Sequence, residues 1–140
     1  MNEGEQMQVV GTMFLNNNKL LIDKPRKRPT YQMIGGKVED NETPLEAAIR
    51  ECHEELGDKA VFDETQIEQV LEFDEIATSD GVTPIHFYVF RYTGSLTGEL
   101  TTSEEIEEFK WYDSSCGTDI LSNTLKHKVI PYCIKEKLIK

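Results

Sequence analysis

The alternation of apolar and polar residues predicts that the chain begins with short strands joined by turns. Met7 to Leu15 is rich in Val, Met and Phe, and the run Asn16 to Asn18 predicts a hairpin turn into a second strand, Lys19 to Asp23. A further short strand is predicted from Tyr31 to Ile34. The pair Gly35-Gly36 follows it and predicts a tight turn, because glycine adopts backbone conformations that other residues avoid.

The clearest helix signal in the chain lies between Thr43 and Gly57. Thr43 is a typical N-cap residue, Pro44 suits the first helical position, and Glu46 completes a capping box. Gly57 predicts the end of the helix. We therefore expect an amphipathic helix with one face in the core. The apolar residues that recur at helical spacing are Leu45, Ala48, Ile49, Cys52 and Leu56.

The second half of the chain predicts three more strands and a second helix. Val61 to Phe73 and Ile85 to Tyr92 have the β-branched and aromatic enrichment of strands, and Phe109 to Tyr112 reads as a short one. Apolar residues recur at helical spacing from about Ile120 to Leu138, with an interruption or kink expected near Pro131. The predicted order is strands, helix, strands, helix.

Length and composition predict one soluble domain. The 140 residues, which we expect to form a single domain over 1–140, are enough to bury roughly two thirds of the unfolded surface. Hydrophobic residues make up 38% and charged residues 29%, a balance typical of globular proteins. No apolar run approaches the ~20 residues of a membrane span, and no secretory signal is visible. We expect a cytoplasmic protein without a membrane partner.

The cysteines and the net charge indicate which environment and which partners to expect. Cys52, Cys116 and Cys133 are odd in number and scattered, which suits reduced, buried thiols better than a disulfide framework. The net charge of −11 argues against binding to a nucleic acid polymer, which relies on a basic surface. An anionic substrate would need compensation from a divalent metal or from one basic cluster, Lys24, Arg26, Lys27 and Arg28.

The stretch from Gly36 to Gly57, GKVEDNETPLEAAIRECHEELG, carries the candidate chemistry. On the predicted helix, Glu51, Glu54 and Glu55 stand at i, i+3 and i+4 and therefore crowd one flank. Mutual repulsion makes such a cluster costly, and a hard cation such as Mg²⁺ would neutralise it. Each of these charges taken alone more often belongs to a solvated helix face. The joint pattern argues against that alternative: Gly36, Glu42, Arg50, Glu51, Glu54, Glu55 and Gly57.

These seven positions resemble the signature motif of the Nudix hydrolase family, the Nudix box. The resemblance implies an α/β fold, more exactly α+β, in which a mixed β-sheet lies between two main helices in an α/β/α sandwich. It also implies hydrolysis of a nucleoside diphosphate linked to another moiety, with a divalent metal and an attacking water. The cofactor expected on this basis is Mg²⁺, with Mn²⁺ as a second possibility.

The resemblance also assigns roles to residues of this chain. It implies that Glu51, Glu54 and Glu55 are metal ligands, together with the carbonyl of Gly35. Glu42 and Arg50 are implied to be a supporting pair of the catalytic site. A further acidic ligand and catalytic residue is expected before Trp111, where Glu105 is the candidate and Glu104 and Glu108 compete with it. An exposed acidic loop without a catalytic role is the alternative at that position.

Substrate contacts are less sharply indicated. Arg26, Arg28 and Lys37 are candidates to bind phosphates, although basic loop residues more often only solubilise a protein. Asn123, or Ser122 before it, could read a base edge, with helix capping as the alternative. Three aromatic residues could stack a base, although aromatics on strands more often pack a core. They are Tyr31, Phe87 and Tyr88.

The leading hypothesis is a Mg²⁺-dependent pyrophosphohydrolase of the mutator type. It would cleave a nucleoside triphosphate, either a standard one or an oxidised or non-standard one, to a monophosphate and pyrophosphate. The alternatives are a diphosphatase for ADP-sugars or other linked nucleotides, and a regulatory Nudix module that binds a nucleotide without turnover. The expected partner is a small-molecule nucleotide. A homodimer is left open, with the strand Ile85 to Tyr92 as the edge that could pair.

Overall fold

The computed structural model describes residues 6–77 and 80–140. Helix α1 spans Pro44–Leu56, and helix α2 spans Ile130–Lys135 directly after a π-helical segment at Leu125–Val129. Short 3₁₀ turns lie at Glu64–Gln66 and Ser114–Cys116. The strands are β1 (Met7–Met13), β2 (Leu15–Asn16), β3 (Lys19–Pro25), β4 (Ile34–Lys37), β5 (Ala60–Val61), β6 (Ile67–Ile76), β7 (Pro84–Tyr92), β8 (Thr97–Gly98) and β9 (Ile106–Tyr112).

A mixed four-stranded sheet forms the centre, in the order β4-β1-β7-β6. Strands β1 and β7 run parallel, whereas β1–β4 and β6–β7 pair antiparallel. A second sheet has the order β2-β3-β9, and β5 pairs with β8. Strand β7 is therefore an inner strand, so the expectation that Ile85 to Tyr92 offers an edge is wrong. The edges of the four-stranded sheet are β4 and β6.

Each face of the central sheet is covered by one helix. Side chains of a strand alternate between its faces, and in β7 Phe87 and Val89 face one core while Phe90 and Tyr92 face the other. The α1 core is built around Val10, Ile34, Ala48, Cys52 and Phe90. The second-helix core is built around Met13, Phe87, Val89, Leu125 and Val129. This arrangement confirms the expected sandwich of a mixed sheet between two helices.

The predicted hairpin is present, but the first strand is divided. Asn17 and Asn18 adopt left-handed conformations, with φ of 53° and 60°, and connect β2 to β3. The single strand expected from Met7 to Leu15 ends at Met13 instead, because Phe14 is fully buried in the α1 core and redirects the chain into the second sheet.

Helix α1 begins and ends as its sequence predicts, but its buried face is rotated. The Thr43 hydroxyl accepts the Glu46 N–H at 3.1 Å, and Glu46 accepts the Thr43 N–H at 2.9 Å. Leu45, expected on the core face, is 41% exposed, whereas Ala47 is buried. This rotation turns Glu51 and Glu55 toward the sheet, where both are partly buried.

Two strand predictions are wrong in their bounds. The strand expected at Tyr31 to Ile34 and the turn expected at Gly35-Gly36 are replaced by β4, in which Gly35 pairs with Gly11 of β1. The strand expected from Val61 to Phe73 is broken, because Asp63 accepts the Thr65 N–H and caps a 3₁₀ turn.

The second helix is shorter than the predicted span from Ile120 to Leu138. Helical residues begin at 123, and the interruption expected near Pro131 takes the form of the π segment before it. The Ile130 N–H donates to the Leu125 carbonyl five residues earlier, and the wider turn suits a proline that has no N–H. Among the described residues, no helix has the length and apolar character needed to cross a bilayer.

Candidate active site

Helix α1 crosses β4 where two glycines leave room for glutamate side chains. Glu55 accepts the backbone N–H of Gly35 at 3.1 Å. A Cβ on Gly36 would lie 2.6 Å from the Glu51 carboxylate, and a Cβ on Gly35 would lie 2.0 Å from the carbonyl oxygen of Val10. The paired glycines therefore allow a close approach of α1 to the sheet rather than a tight turn.

Arg50 connects the acidic residues of this region. Its guanidinium donates to both carboxylate oxygens of Glu42, with Nε at 2.8 Å and Nη2 at 3.0 Å. Nη1 contacts Glu51 at 2.8 Å and Glu54 at 3.1 Å, and Nη2 also donates to the Lys37 carbonyl at 2.9 Å. The Glu42–Arg50 pair expected from the sequence is therefore formed, and it connects the segment before α1 to the helix.

The electrostatics of these groups follow from their contacts. The hydrogen bond from Arg50 lowers the pKa of Glu42 to about 2, and the same bond raises the pKa of Arg50. Burial raises the pKa of Glu51, which its contacts with Arg50 partly offset. The Glu51 side chain is only 14% exposed, which is the burial that raises its pKa.

Asp23 of β3 is a member of this cluster that the sequence analysis missed. It is 1% exposed, and its carboxyl group is close enough to Glu55 for a hydrogen bond between the two acids. Burial raises the pKa of Asp23 to about 6, and burial followed by the Asp23 charge raises the pKa of Glu55 well above its usual value. The available signal was an aspartate directly after the apolar run Leu20-Leu21-Ile22 of this strand.

The oxygen ligands of these acidic side chains are of the kind that a divalent cation binds. In this structure, however, the carboxylates do not all point to one position. Among residues 6–77 and 80–140, no three acidic, histidine or cysteine side chains are grouped closely enough to hold an ion. Arg50 holds Glu51 and Glu54, while Glu55 contacts Gly35 and Asp23. The carboxylate oxygens nevertheless match the ligands of a hard cation, and one buried oxygen of Asp23 lacks any partner within the described chain. These residues fit a divalent metal.

Glu105 lies beside this cluster, on the loop before β9. Its side chain is exposed, and its negative charge contributes to the raised pKa of Glu51. The Glu108 side chain instead contacts the Tyr31 hydroxyl, and the resulting hydrogen bond adds to burial in raising the pKa of Tyr31 to about 12. Of the three late glutamates considered from the sequence, Glu105 is the one whose charge acts on Glu51.

A cleft of about 190 Å³ opens on the other side of the paired glycines. Its walls combine apolar side chains with a few polar groups, as ligand sites commonly do. Gly35 and Gly36 therefore separate the cleft from the carboxylates of α1. The residues lining it are Met7, Val9, Val10, Arg28, Gln32, Met33, Gly35, Gly36, Ala77, Ile85, Phe87, Ser122 and Thr124.

Only some of the predicted substrate residues line this cleft. Arg28 does, but Arg26, Lys37 and Asn123 do not. The Arg26 guanidinium donates to the carbonyls of Ser103 and Glu104 at 3.1 and 3.2 Å, so it holds the loop that carries Glu105.

Residues next to the predicted ones line the cleft instead. Ser122 lines the cleft, whereas Asn123 is exposed outside it. Phe87 also lines it, but Tyr31 is buried and Tyr88 packs against the α1 core on the opposite face. Gln32 was missed, because its proximity depends on the bridge to Asp23 and not on local sequence.

Comparison with known proteins identifies this architecture. Residues 5–115 match the NUDIX domain family. A segment of 45 residues, 30% of this chain, is 42% identical to the 8-oxo-dGTP diphosphatase of Proteus vulgaris, and the match spans 40% of that protein's length. The chain therefore belongs to the Nudix family, as its sequence predicts.

Solved structures of this family share the fold over nearly the whole chain. The MutT protein from Methanosarcina mazei Go1 has a TM-score of 0.75 and 19% identity, covering 97% of this chain and 98% of that one. The MutT NUDIX hydrolase from Burkholderia pseudomallei has a TM-score of 0.67 and 20% identity, covering 94% and 97%. The class is that of the Nudix hydrolases, whose members generally use divalent metal ions.

Proposed function

We propose that this protein is a metal-dependent pyrophosphohydrolase that converts a nucleoside triphosphate to a monophosphate and pyrophosphate. One observation carries the proposal: Gly35 and Gly36 line the cleft and also contact the carboxylates of Glu55 and Glu51. A nucleotide with its base in the cleft would extend its phosphates past these glycines toward the acidic side chains.

The proposed ligands of the metal are Glu51, Glu54, Glu55 and the carbonyl of Gly35. Mg²⁺ is the expected ion, and Mn²⁺ also accepts oxygen ligands of this kind. When bound, such an ion neutralises phosphate charge and increases the acidity of a coordinated water. Arg50 would keep the glutamates oriented, since it already contacts Glu51 and Glu54 in this structure.

The proposed reaction is the hydrolysis of a phosphoanhydride bond. The water oxygen bonds to phosphorus, the bond from that phosphorus to the bridging oxygen breaks, and pyrophosphate leaves. The proton of the water passes to a carboxylate, for which we propose Glu105, because it is exposed and near enough to Glu51 for their charges to interact.

Polar groups in the cleft are the proposed contacts for the nucleotide. Arg28 carries the positive charge that a phosphate would meet, while Gln32 and Ser122 offer hydrogen-bonding groups to a base edge. Phe87 supplies an aromatic wall. The partial match to an 8-oxo-dGTP diphosphatase makes an oxidised purine nucleotide the first substrate to test. Cytoplasmic location, one domain over 1–140 and a homodimer remain predictions.

The test is product release from a panel of standard, oxidised and sugar-linked nucleotides with Mg²⁺ or Mn²⁺. Pyrophosphate from a triphosphate is expected, with activity lost in Glu54→Gln. Glu68→Gln, on the exposed face of β6, is the matched control and should retain activity. Monophosphate release only from sugar-linked nucleotides would favour the alternative diphosphatase. Tight nucleotide binding without any product would contradict hydrolysis.

A further inference from the structure

Asp23 is directed at the acidic cluster by the geometry of its strand. Side chains of β3 alternate, so Leu20 and Ile22 pack in the second-helix core while Leu21 packs in the α1 core. Asp23 continues the alternation on the side of Leu21 and is almost completely buried. Its backbone N–H and carbonyl are both bonded to Gln32, at 2.9 and 2.7 Å. The backbone is therefore fixed independently of the carboxyl group.

The carboxyl group of Asp23 lacks the partners that a buried acid requires. Oδ2 has no hydrogen-bond partner in the described part of the chain. The neighbouring acids are Glu55, in contact with it, and Glu51, whose negative charge acts on it. Burying an uncompensated carboxylate beside other acids is costly, and buried polar groups in proteins are almost always satisfied.

The basic side chains nearby do not supply the missing compensation. Lys24, the next residue of β3, pairs with Glu107. Arg50 pairs with Glu42, Glu51 and Glu54. A hydrogen bond between the carboxyl groups of Asp23 and Glu55 engages one oxygen of Asp23 and leaves the other without a partner. A cation from solvent would satisfy both acids, because carboxylates are the ligands that hard divalent ions prefer.

We propose that Asp23 supplies a further carboxylate oxygen to the divalent cation bound by Glu55, reaching it from β3 on the sheet side of α1. The inference rests on the metal site of the proposed function and adds a ligand from outside the Nudix box. An additional anionic ligand strengthens the binding of a divalent ion at the expense of stability in the metal-free protein. Replacing a ligand should therefore lower the affinity for the metal without lowering the stability of the metal-free protein, whereas replacing a residue that only packs should lower that stability.

The test is direct titration with Mn²⁺ in the absence of nucleotide, followed by electron paramagnetic resonance and calorimetry. Asp23→Asn is expected to weaken Mn²⁺ binding by ~10-fold or more. Asp63→Asn makes the same change at a 3₁₀ turn outside the site, where asparagine is also a good cap, and should leave Mn²⁺ affinity unchanged. Asp23→Ser serves as the second variant if the asparagine protein does not fold.

Stability in EDTA provides a second readout. The melting temperature of Asp23→Asn should equal or exceed that of the wild type, because a neutral amide replaces a buried acid, while its rise on adding Mn²⁺ should shrink. In a protein that already carries Glu55→Gln, adding Asp23→Asn should reduce Mn²⁺ affinity only slightly, because the two residues would bind the same ion.

Three outcomes would overturn the inference: wild-type Mn²⁺ affinity in both Asp23 variants, absence of Mn²⁺ binding in the wild type, or a lowered melting temperature in EDTA with unchanged affinity. The result is separable from the proposed function. Mn²⁺ binding that depends on Asp23, without hydrolysis of any nucleotide, would contradict the function alone. Hydrolysis with Mn²⁺ binding independent of Asp23 would contradict this inference alone.

Discussion

Glu42 holds the Arg50 guanidinium with both carboxylate oxygens, at 2.8 Å from Nε and 3.0 Å from Nη2. Glu42 precedes α1 and Arg50 lies in its middle, while Nη2 also donates to the carbonyl of Lys37 at the end of β4. One side chain thereby ties three segments together next to the acidic cluster. The planar fork of an arginine is needed for this geometry, because a lysine ammonium cannot donate two parallel hydrogen bonds to one carboxylate.

Arg50→Lys should therefore reduce activity while retaining the positive charge. We expect kcat/KM for nucleotide hydrolysis to fall by ~10–100-fold, the usual cost of losing a group that orients metal ligands. Steady-state kinetics beside circular dichroism would separate this effect from unfolding. Glu42→Gln should cause a similar loss, and the double variant should be little worse than either single one. Wild-type kinetics in Arg50→Lys would show that the bidentate pair has no role in positioning.

The two glycines of β4 should differ in their response to alanine. A Cβ at position 35 would lie 2.0 Å from the Val10 carbonyl oxygen, which belongs to the backbone and cannot move away easily. Gly35→Ala should therefore lower the free energy of unfolding by more than about 3 kcal/mol, beyond ordinary overpacking. The three atoms nearest to a Cβ at position 36 all belong to the carboxylate of Glu51, a side chain that can move.

Gly36→Ala should consequently fold but lose activity, by ~100-fold if the Glu51 carboxylate is displaced by about 1 Å. Chemical denaturation and kinetics on both variants would check the contrast. Gly117→Ala is a control for the general cost of replacing a glycine, since no atom lies within 4 Å of its Cβ position, although its φ of 78° makes it strained. Equal effects of the two β4 variants on stability and activity would contradict this explanation.

Local sequence rules predicted the parts of the site that lie on one helix. The N-cap at Thr43, the end of α1 near Gly57 and the Glu42–Arg50 pair all depend on spacings of a few residues. Such short-range relations are visible in a sequence because helix geometry fixes which residues become neighbours. The sandwich of a mixed sheet between two helices was predicted differently, from the resemblance of seven spaced positions to the Nudix box.

The missed features depend on contacts between distant segments. Asp23 faces the cluster because the fold brings one side of β3 to the α1 core, and Gln32 reaches the cleft through its bridge to that strand. Gly35 and Gly36 suggested a turn, since glycine is common in turns, but here glycine is required by the close approach of Val10 and Glu51. The exposure of Leu45 likewise reflects how α1 packs on the sheet, which periodicity alone does not determine.

The three cysteines should react at different rates with a thiol reagent. Cys52 and Cys133 are buried, and burial raises the pKa of each thiol to about 12, so little thiolate forms at neutral pH. Cys116 is partly exposed. We expect one thiol per chain to react rapidly under native conditions, and all three after denaturation. Cys116→Ser should abolish the rapid phase. Rapid reaction of two or more thiols in the native protein would contradict the burial described here.

His86 lies between two carboxylates on the face of β7 that also carries Tyr88 and Phe90. Nε2 is 2.6 Å from Glu72 and Nδ1 is 2.7 Å from Asp74, which also accepts a hydrogen bond from Gln6 at 2.9 Å. The hydrogen bonds from Asp74 and then Glu72 raise the pKa of His86 above its usual 6.5, and the contact with His86 lowers the pKa of Asp74 below 3.8. A protonated imidazole can donate to both carboxylates at once.

This cluster should make stability depend on pH through His86. A histidine whose pKa is raised by folding contributes stability that is fully present below pH 6.5 and is lost as pH rises through the raised pKa. The lowered pKa of Asp74 sets the acidic limit, since its contribution to stability is lost only as pH falls through that lowered value.

Urea denaturation should therefore show that His86→Gln costs more stability at about pH 5.5 than at about pH 9. His127→Gln, at an exposed position of the π segment, is the matched control for the loss of an imidazole. An equal cost of His86→Gln at both pH values would mean that the charged imidazole does not stabilise the sheet.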